Sequence, residues 1–88
     1  MTSIWKIDWK DSAVKDLKKL EKSTQKMILT FIEERIRPNP ERLASHLKGN
    51  LMGLKRYRVG DYRIICQIKE NVMEILIIAV GHRREIYA

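Results

Sequence analysis

The sequence predicts an α+β fold in which two helices cover one face of a mainly antiparallel sheet. Three observations support this prediction. Apolar residues alternate with polar ones over residues 4–9, which is typical of a half-buried strand. Between residues 13 and 36 the apolar residues recur every three or four positions, which is the period of a helix. Beyond Pro38-Asn39-Pro40, three strand-like segments follow one another with short links.

The N-terminal half is predicted to form the first strand and both helices. Trp5, Ile7 and Trp9 share one face of the strand, where we expect them to pack into the core rather than stack on bases. Two apolar stripes define the helices: Ala13, Leu17 and Leu20, then Met27, Ile28, Phe31, Ile32 and Ile36. Asp11 or Ser12 is expected to cap the first helix, and Ser23 or Thr24 the second. Pro38 ends the second helix, and the short link between the two predicts an antiparallel hairpin.

The C-terminal half is predicted to form a three-stranded antiparallel meander. Residues 41–47 are expected to hold a short helical turn that presents Leu43 and Leu47 to the core. The strands are predicted at residues 54–59, 62–69 and 72–80, linked by the pairs Gly60-Asp61 and Glu70-Asn71. The last segment is apolar on both faces apart from Glu74, so we place it in the middle of the sheet. Residues 1–88 therefore form one small domain.

The composition excludes several classes of protein. Cys66 is the single cysteine, which rules out an internal disulfide and a cysteine zinc cluster, and its strand position predicts a buried thiol. His46 and His82 lie in no metal-binding motif, so we expect neither a metal nor a cofactor. The longest apolar run, residues 75–80, is far shorter than the roughly 20 residues of a membrane span. We therefore expect a soluble, cytoplasmic protein with no membrane partner.

The charge balance points to a polyanionic partner. Eighteen Lys and Arg against eleven Asp and Glu give a formal net charge of +7. Strand alternation places Arg56 and Arg58 on one face, with Arg63 just across the hairpin turn. Because arginines are not buried unpaired under the helices, we expect them on the open face of the sheet or at its rim. Their planar guanidinium groups bind phosphate through two parallel hydrogen bonds.

Two blocks of sequence resemble a known family. The segment LKRYRVGDYRII (residues 54–65), followed by VGHRREIY (residues 80–87), is similar to the RelE/ParE superfamily of toxins. The segment IDWKDSAVKDLKKL (residues 7–20) resembles the opening strand and first helix of that family. The resemblance covers essentially the whole chain. One departure is Lys55, because many relatives carry an aromatic residue before the first arginine of the block.

The resemblance implies a function and its partners. RelE-type members are ribosome-dependent endoribonucleases that cut mRNA in the A site without a metal, using the 2′-OH of the substrate as nucleophile. A cognate antitoxin holds each of them inactive, and the complex often binds operator DNA through the antitoxin. Two alternatives remain: a gyrase-poisoning toxin of the ParE branch, and a module without enzymatic activity that acts only as a corepressor.

The family's site residues carry over to matching positions. Arg63 and Arg83 are predicted to neutralise phosphate and transition-state charge, with Arg56 sharing that role, and Tyr87 to transfer a proton or stack on a base. Electrostatic positioning of RNA and ribosome is assigned to Lys48, Lys55, Arg58 and Arg84. His82, which follows the last predicted strand, is a further predicted contact with RNA or the ribosome. It is also an alternative general acid or base. His46 is expected to be a surface or packing residue.

Overall fold

The computed structural model describes residues 5–40, 45–46 and 54–82. One sheet contains the strands β1 (Lys6–Trp9), β2 (Ser45–His46), β3 (Leu54–Val59), β4 (Tyr62–Lys69) and β5 (Glu74–His82). Helices α1 (Asp11–Lys18) and α2 (Lys22–Phe31) follow β1, and a π-helical segment (Ile32–Ile36) extends α2. This element order confirms the α+β prediction. Within the ranges given above, no helix is long and apolar enough to cross a membrane.

The sheet has the strand order β1-β5-β4-β3-β2. Strand β1 runs parallel to β5, and all the other neighbours are antiparallel. Strand β5 therefore lies inside the sheet, as its mainly apolar sequence predicts. The parallel pair forms because the helices carry the chain away from β1 before the meander begins.

The core lies between the helices and one face of the sheet. Strand alternation brings Tyr57, Ile64, Ile75 and Ile77 to that face, and all four are fully buried. The helices contribute a buried apolar stripe to the same cluster: Ala13, Leu17, Ile28, Ile32 and Ile36. Trp5, Ile7 and Trp9 pack against this cluster from β1, which confirms that their face of the strand is the core face.

The helix starts differ from the prediction. Helix α1 begins at Asp11 and α2 at Lys22, and neither has a capping hydrogen bond from a side chain. The hydroxyl of Ser12 donates instead to the backbone of β5, so it is not available to cap α1. The helical stretch ends before Pro38 as predicted, but its last turn is the π-helical segment, and Arg37 keeps helical dihedral angles. The amide of Arg37 donates to the carbonyl of Ile32 at 2.8 Å, which closes the π-helical turn just before Pro38.

The predicted bounds are confirmed for β3 and β4 and for the turn between them, but not for β5 and the link before it. Strands β3 and β4 have the predicted bounds, and Gly60-Asp61 joins them with Gly60 at φ 58°, a conformation that glycine adopts without strain. The link to β5 is longer than predicted: it spans residues 70–73 and ends on a left-handed Met73 at φ 52°. Strand β5 consequently begins at Glu74 and runs to His82, two residues later than predicted at both ends.

The predicted helical turn over residues 41–47 is wrong at residues 45 and 46. Ser45 and His46 form β2, which pairs with Arg56 and Lys55 on the edge of β3. This pairing satisfies backbone groups that a single isolated helical turn would leave unpaired. Leu43 and Leu47, the two core contacts expected from this turn, lie outside the described residues.

Candidate nucleic-acid interface

Two arginines face each other across the β3–β4 hairpin. Arg58 pairs with Arg63, and Arg63 in turn pairs with Gly81 of β5. Directly opposed residues of an antiparallel pair have Cβ atoms about 4.5–5.5 Å apart and point to the same side. The neighbouring pair, Tyr57 and Ile64, is buried in the core, so the arginines point to the other, open face.

Arg56 extends this pair into a cluster on the open face. It lies two residues from Arg58 on β3 and pairs with Ile65, which pairs with Ala79 on its other side. We call Arg56, Arg58 and Arg63 the arginine cluster. Ile65 is 8% exposed and belongs to the open face rather than to the core cluster. The arginine cluster therefore lies beside an apolar side chain that is almost fully buried.

The three arginines differ in exposure. Arg58 is exposed and Arg56 half-buried, as expected for an open face, but Arg63 is only 6% exposed. Its guanidinium Nη1 donates to the carbonyl of Tyr62 at 3.1 Å. Arg63 thus lies on the open face of the sheet, but its side chain is largely buried there. A buried guanidinium acts at a lower local dielectric constant, which strengthens its attraction for an anion.

Among the described residues, Asp61 in the hairpin turn is the acidic residue nearest the arginine cluster, and the others near this face lie far from it. Glu74 forms an ion pair with Lys69 at 3.5 Å, and this pair is six residues along β4 from Arg63, or about 20 Å. Asp8 lies on the edge strand β1, and Asp61 is exposed in the hairpin turn. Within the described residues, no three His, Cys, Asp or Glu side chains come together in a metal-binding group. The potential of the face is therefore most positive at the arginine end.

Lys55 and His82 lie on the opposite side of the sheet from the arginine cluster. Lys55 pairs with Cys66 in the rows that face the core, and it is 9% exposed. The ring of His82 meets Tyr62 edge-on, with centroids 5.6 Å apart and planes at 82°. The sequence predicts that Lys55 and His82 bind RNA or the ribosome together with the arginines, but strand alternation places these two residues on the other face of the sheet. Their assignment to RNA or ribosome binding stays a prediction.

Cys66 is placed as the sequence predicts. Its thiol is fully buried, and burial raises the pKa of this thiol from 9.0 to about 12. A thiol that stays protonated at neutral pH is a poor nucleophile. Cys66 is therefore a small apolar residue of the core.

Several predicted site residues lie outside the described part of the chain, namely Lys48, Arg83, Arg84 and Tyr87. The structure adds Gly81, which the sequence analysis did not single out. Because Gly81 has no side chain, the bare backbone of β5 lies directly opposite Arg63 in the sheet. An isolated glycine after an apolar strand was the available signal for such a close approach.

Comparison with known proteins identifies the family of the chain. A family model described as ParE toxin of type II toxin-antitoxin system, parDE, matches residues 7–87. Toxin RelE from Mycobacterium tuberculosis (strain ATCC 25618 / H37Rv) is 30% identical over 76 residues, which are 86% of this chain and 78% of that protein.

Solved structures of toxin–antitoxin complexes share the fold. The complex RelBE2 from Mycobacterium tuberculosis superimposes with a TM-score of 0.84 at 25% identity, over 90% of this chain and 98% of that one. The RelB-RelE complex from Methanococcus jannaschii gives a TM-score of 0.71 at 30% identity, over 91% and 94% of the two chains.

The family match and these similarities identify a small basic toxin of a type II toxin–antitoxin system. The chain belongs to the ParE toxin family within the RelE/ParE superfamily. Within that superfamily it is a RelE-type toxin, as the similarity to Toxin RelE and the RelB-RelE complexes shows.

Proposed function

We propose that this toxin is an endoribonuclease that cleaves mRNA in the ribosomal A site and so stops translation. The arginine cluster is the observation that carries the proposal. Like charges directly opposite each other in a sheet destabilise it, so the pairing of Arg58 with Arg63 has a cost in the free protein. An anion bound between the two guanidinium groups would remove that cost. RNA phosphate is such an anion, and guanidinium binds it with two parallel hydrogen bonds.

The proposed reaction uses the RNA itself as the source of the nucleophile. The 2′-oxygen attacks the adjacent phosphorus, the bond from phosphorus to the 5′-oxygen breaks, and the products are a 2′,3′-cyclic phosphate and a 5′-OH. One proton leaves the 2′-OH and one reaches the 5′-oxygen. The protein has to align these atoms, neutralise the developing charge and assist both proton transfers.

The residues divide these tasks in the proposal. Arg63, buried at the centre of the cluster, holds the non-bridging phosphate oxygens, and its low exposure makes its position well defined. Arg56 lies on the same face and stabilises the same charge. Arg58, which is exposed, attracts and orients the backbone of the RNA. Arg83 and Tyr87 are assigned their roles from the family resemblance: a second charge on the phosphate, and proton transfer or base stacking.

We further propose that a cognate antitoxin inhibits the toxin by covering the arginine cluster. The structures of the relatives are toxin–antitoxin complexes, which supports a partner of this kind. An acidic segment of the antitoxin would neutralise Arg56 and Arg58, which are accessible on the open face. A saturated complex of the two proteins should therefore not cleave RNA.

The gyrase-poisoning branch is the second candidate, because the matching family model is described by ParE toxins. The two candidates differ in what happens in cells. A ribonuclease stops translation and leaves cut messages, whereas a gyrase poison induces DNA damage first.

The test is a map of mRNA ends after the toxin is induced in cells, with an Arg63→Gln variant as the comparison. We expect new 5′ ends within translated reading frames, in register with codons, for the natural protein, and a strong reduction for the variant. Growth arrest with DNA damage and no new mRNA ends would contradict the proposal and favour the gyrase candidate. Normal growth, with neither new mRNA ends nor DNA damage, would favour the corepressor alternative.

A further inference from the structure

Strand β5 contains a β-bulge beside the arginine cluster. Ile65 pairs with Ala79, whereas the next residue of β4, Cys66, pairs with Ile77. Ile78 is therefore the extra residue, and the carbonyls of Ile77 and Ile78 both point away from β4. In a regular strand successive carbonyls alternate between the two edges, so the bulge leaves one carbonyl that the sheet does not satisfy.

Helix α1 supplies the missing partners of the bulge. The amide of Lys10 continues the ladder by donating to the carbonyl of Ile77 at 2.9 Å, and there β1 ends. The Ser12 hydroxyl donates to the carbonyl of Ile78 at 3.2 Å. The Asp16 carboxylate Oδ2 accepts the amide of Val80 at 3.2 Å. Ser12 and Asp16 are four residues apart and so lie on the same face of α1.

The bulge decides which residue of β5 lies opposite Arg63. A shift of one residue turns every side chain to the other face of a sheet. With the bulge in place, Gly81 lies opposite Arg63, and Val80 points into the core. Without it, the side chain of Val80 or His82 would occupy the space beside Arg63. Residues 75–80 are apolar at every position, so a shift of one residue would bury no polar side chain. The side chains of this run therefore oppose the shift only weakly.

We propose that Ser12 and Asp16 form a latch that holds β5 in the register in which Gly81 lies opposite Arg63. They are positioning residues for the reaction under "Proposed function", on which the activity part of this inference rests. The latch makes helix α1 part of the active site without contact between α1 and the RNA. It also gives two polar side chains of α1 hydrogen-bond partners on β5, whereas the start of α1 has no side-chain cap.

The test compares three substitutions in the full-length toxin. Asp16→Ala removes the acceptor for the Val80 amide. Asp16→Asn removes the charge but keeps an oxygen in the same place. Asp11→Ala is the matched control, since it removes an exposed carboxylate from the same helix. If Asp16→Ala does not fold, Ser12→Ala removes a single hydroxyl of the latch and takes its place.

The first readout is NMR of the protein without RNA. We expect hydrogen exchange at the Val80 amide to accelerate about tenfold or more in Asp16→Ala, because a hydrogen bond to a charged group is lost. The nuclear Overhauser contacts between the backbones of Arg63 and Gly81 should weaken in the same variant. Asp16→Asn and Asp11→Ala should keep both properties. Unchanged protection and contacts in Asp16→Ala would overturn the latch.

The second readout is the single-turnover rate of mRNA cleavage on ribosomes, measured well below the unfolding temperature of each variant. We expect Asp16→Ala to be slowed at least about tenfold at saturating toxin, with rescue by Asp16→Asn. A variant that has lost the register but cleaves at the full rate would overturn the positioning role. If the natural protein cleaves no RNA, the proposed function fails, and the NMR readout still decides the latch.

Discussion

Replacing Arg58 by Gln should make the free toxin more stable and its binding to RNA weaker. Arg58 lies directly opposite Arg63 on the open face. Like charges directly opposite each other destabilise a sheet, and such cross-strand pairs are worth about 0.2–1 kcal/mol. We therefore expect the free energy of unfolding to rise by a few tenths of a kcal/mol at low salt, and the gain to shrink in 0.5 M salt, at which such charges are screened.

The same substitution should change how RNA affinity depends on salt. Each phosphate contact of a single-stranded nucleic acid contributes about 0.7 to the slope of log K against log salt concentration. Loss of Arg58 should lower that slope by about this amount. The assays are urea unfolding at two salt concentrations and titration of a short single-stranded RNA, with Arg35→Gln as the control at an exposed site on the π-helical segment. Lower stability at low salt together with an unchanged salt slope would refute the role of Arg58.

Three further predictions concern single residues. Leu17→Ala should lower the free energy of unfolding by about 2–5 kcal/mol, since Leu17 is 9% exposed in the core, whereas Leu29→Ala, at 42% exposure, should change it by less than about 0.5 kcal/mol in urea titrations. The raised pKa of Cys66 means that the unfolded state loses its thiol proton first. Stability should then fall by up to about 1.4 kcal/mol per pH unit as pH rises from 9.0 towards about 12, and a Cys66→Ala variant should lack this component. Arg63→Lys keeps the charge without the planar fork, so ribosome-bound mRNA should be cut much more slowly; full activity would show that charge alone suffices.

The strands that the sequence predicts to the residue are those with an alternating pattern and a sharp turn. In β3 and β4, polar and apolar residues alternate on either side of Gly60-Asp61, so both the bounds and the two faces follow from the pattern. The arginine cluster could be predicted for the same reason. The face of a residue on an alternating strand is known once its neighbour Tyr57 or Ile64 is assigned to the core.

The features that the sequence does not predict depend on contacts between distant parts of the chain. The bulge at Ile78 lies in an apolar run, where a shift of one residue changes no polar position. Strand β2 has only two residues and forms by pairing with the edge of β3. The low exposure of Arg63 is not evident from the alternation of its strand. The roles of Ser12 and Asp16 depend on the carbonyl of Ile78 and the amide of Val80, which face α1.

The central claim is that the toxin cuts mRNA by attack of the substrate's own 2′-OH on a phosphate held by the arginine cluster. The most direct measurement uses a ribosome-bound message with a single 2′-deoxy nucleotide at the scissile position, beside the all-ribose message. We predict that the ribose message yields a 2′,3′-cyclic phosphate and a 5′-OH, and that the deoxy message is not cut. Efficient cleavage of the deoxy message, or a 5′-phosphate on the product, would contradict the claim, since water would then be the nucleophile.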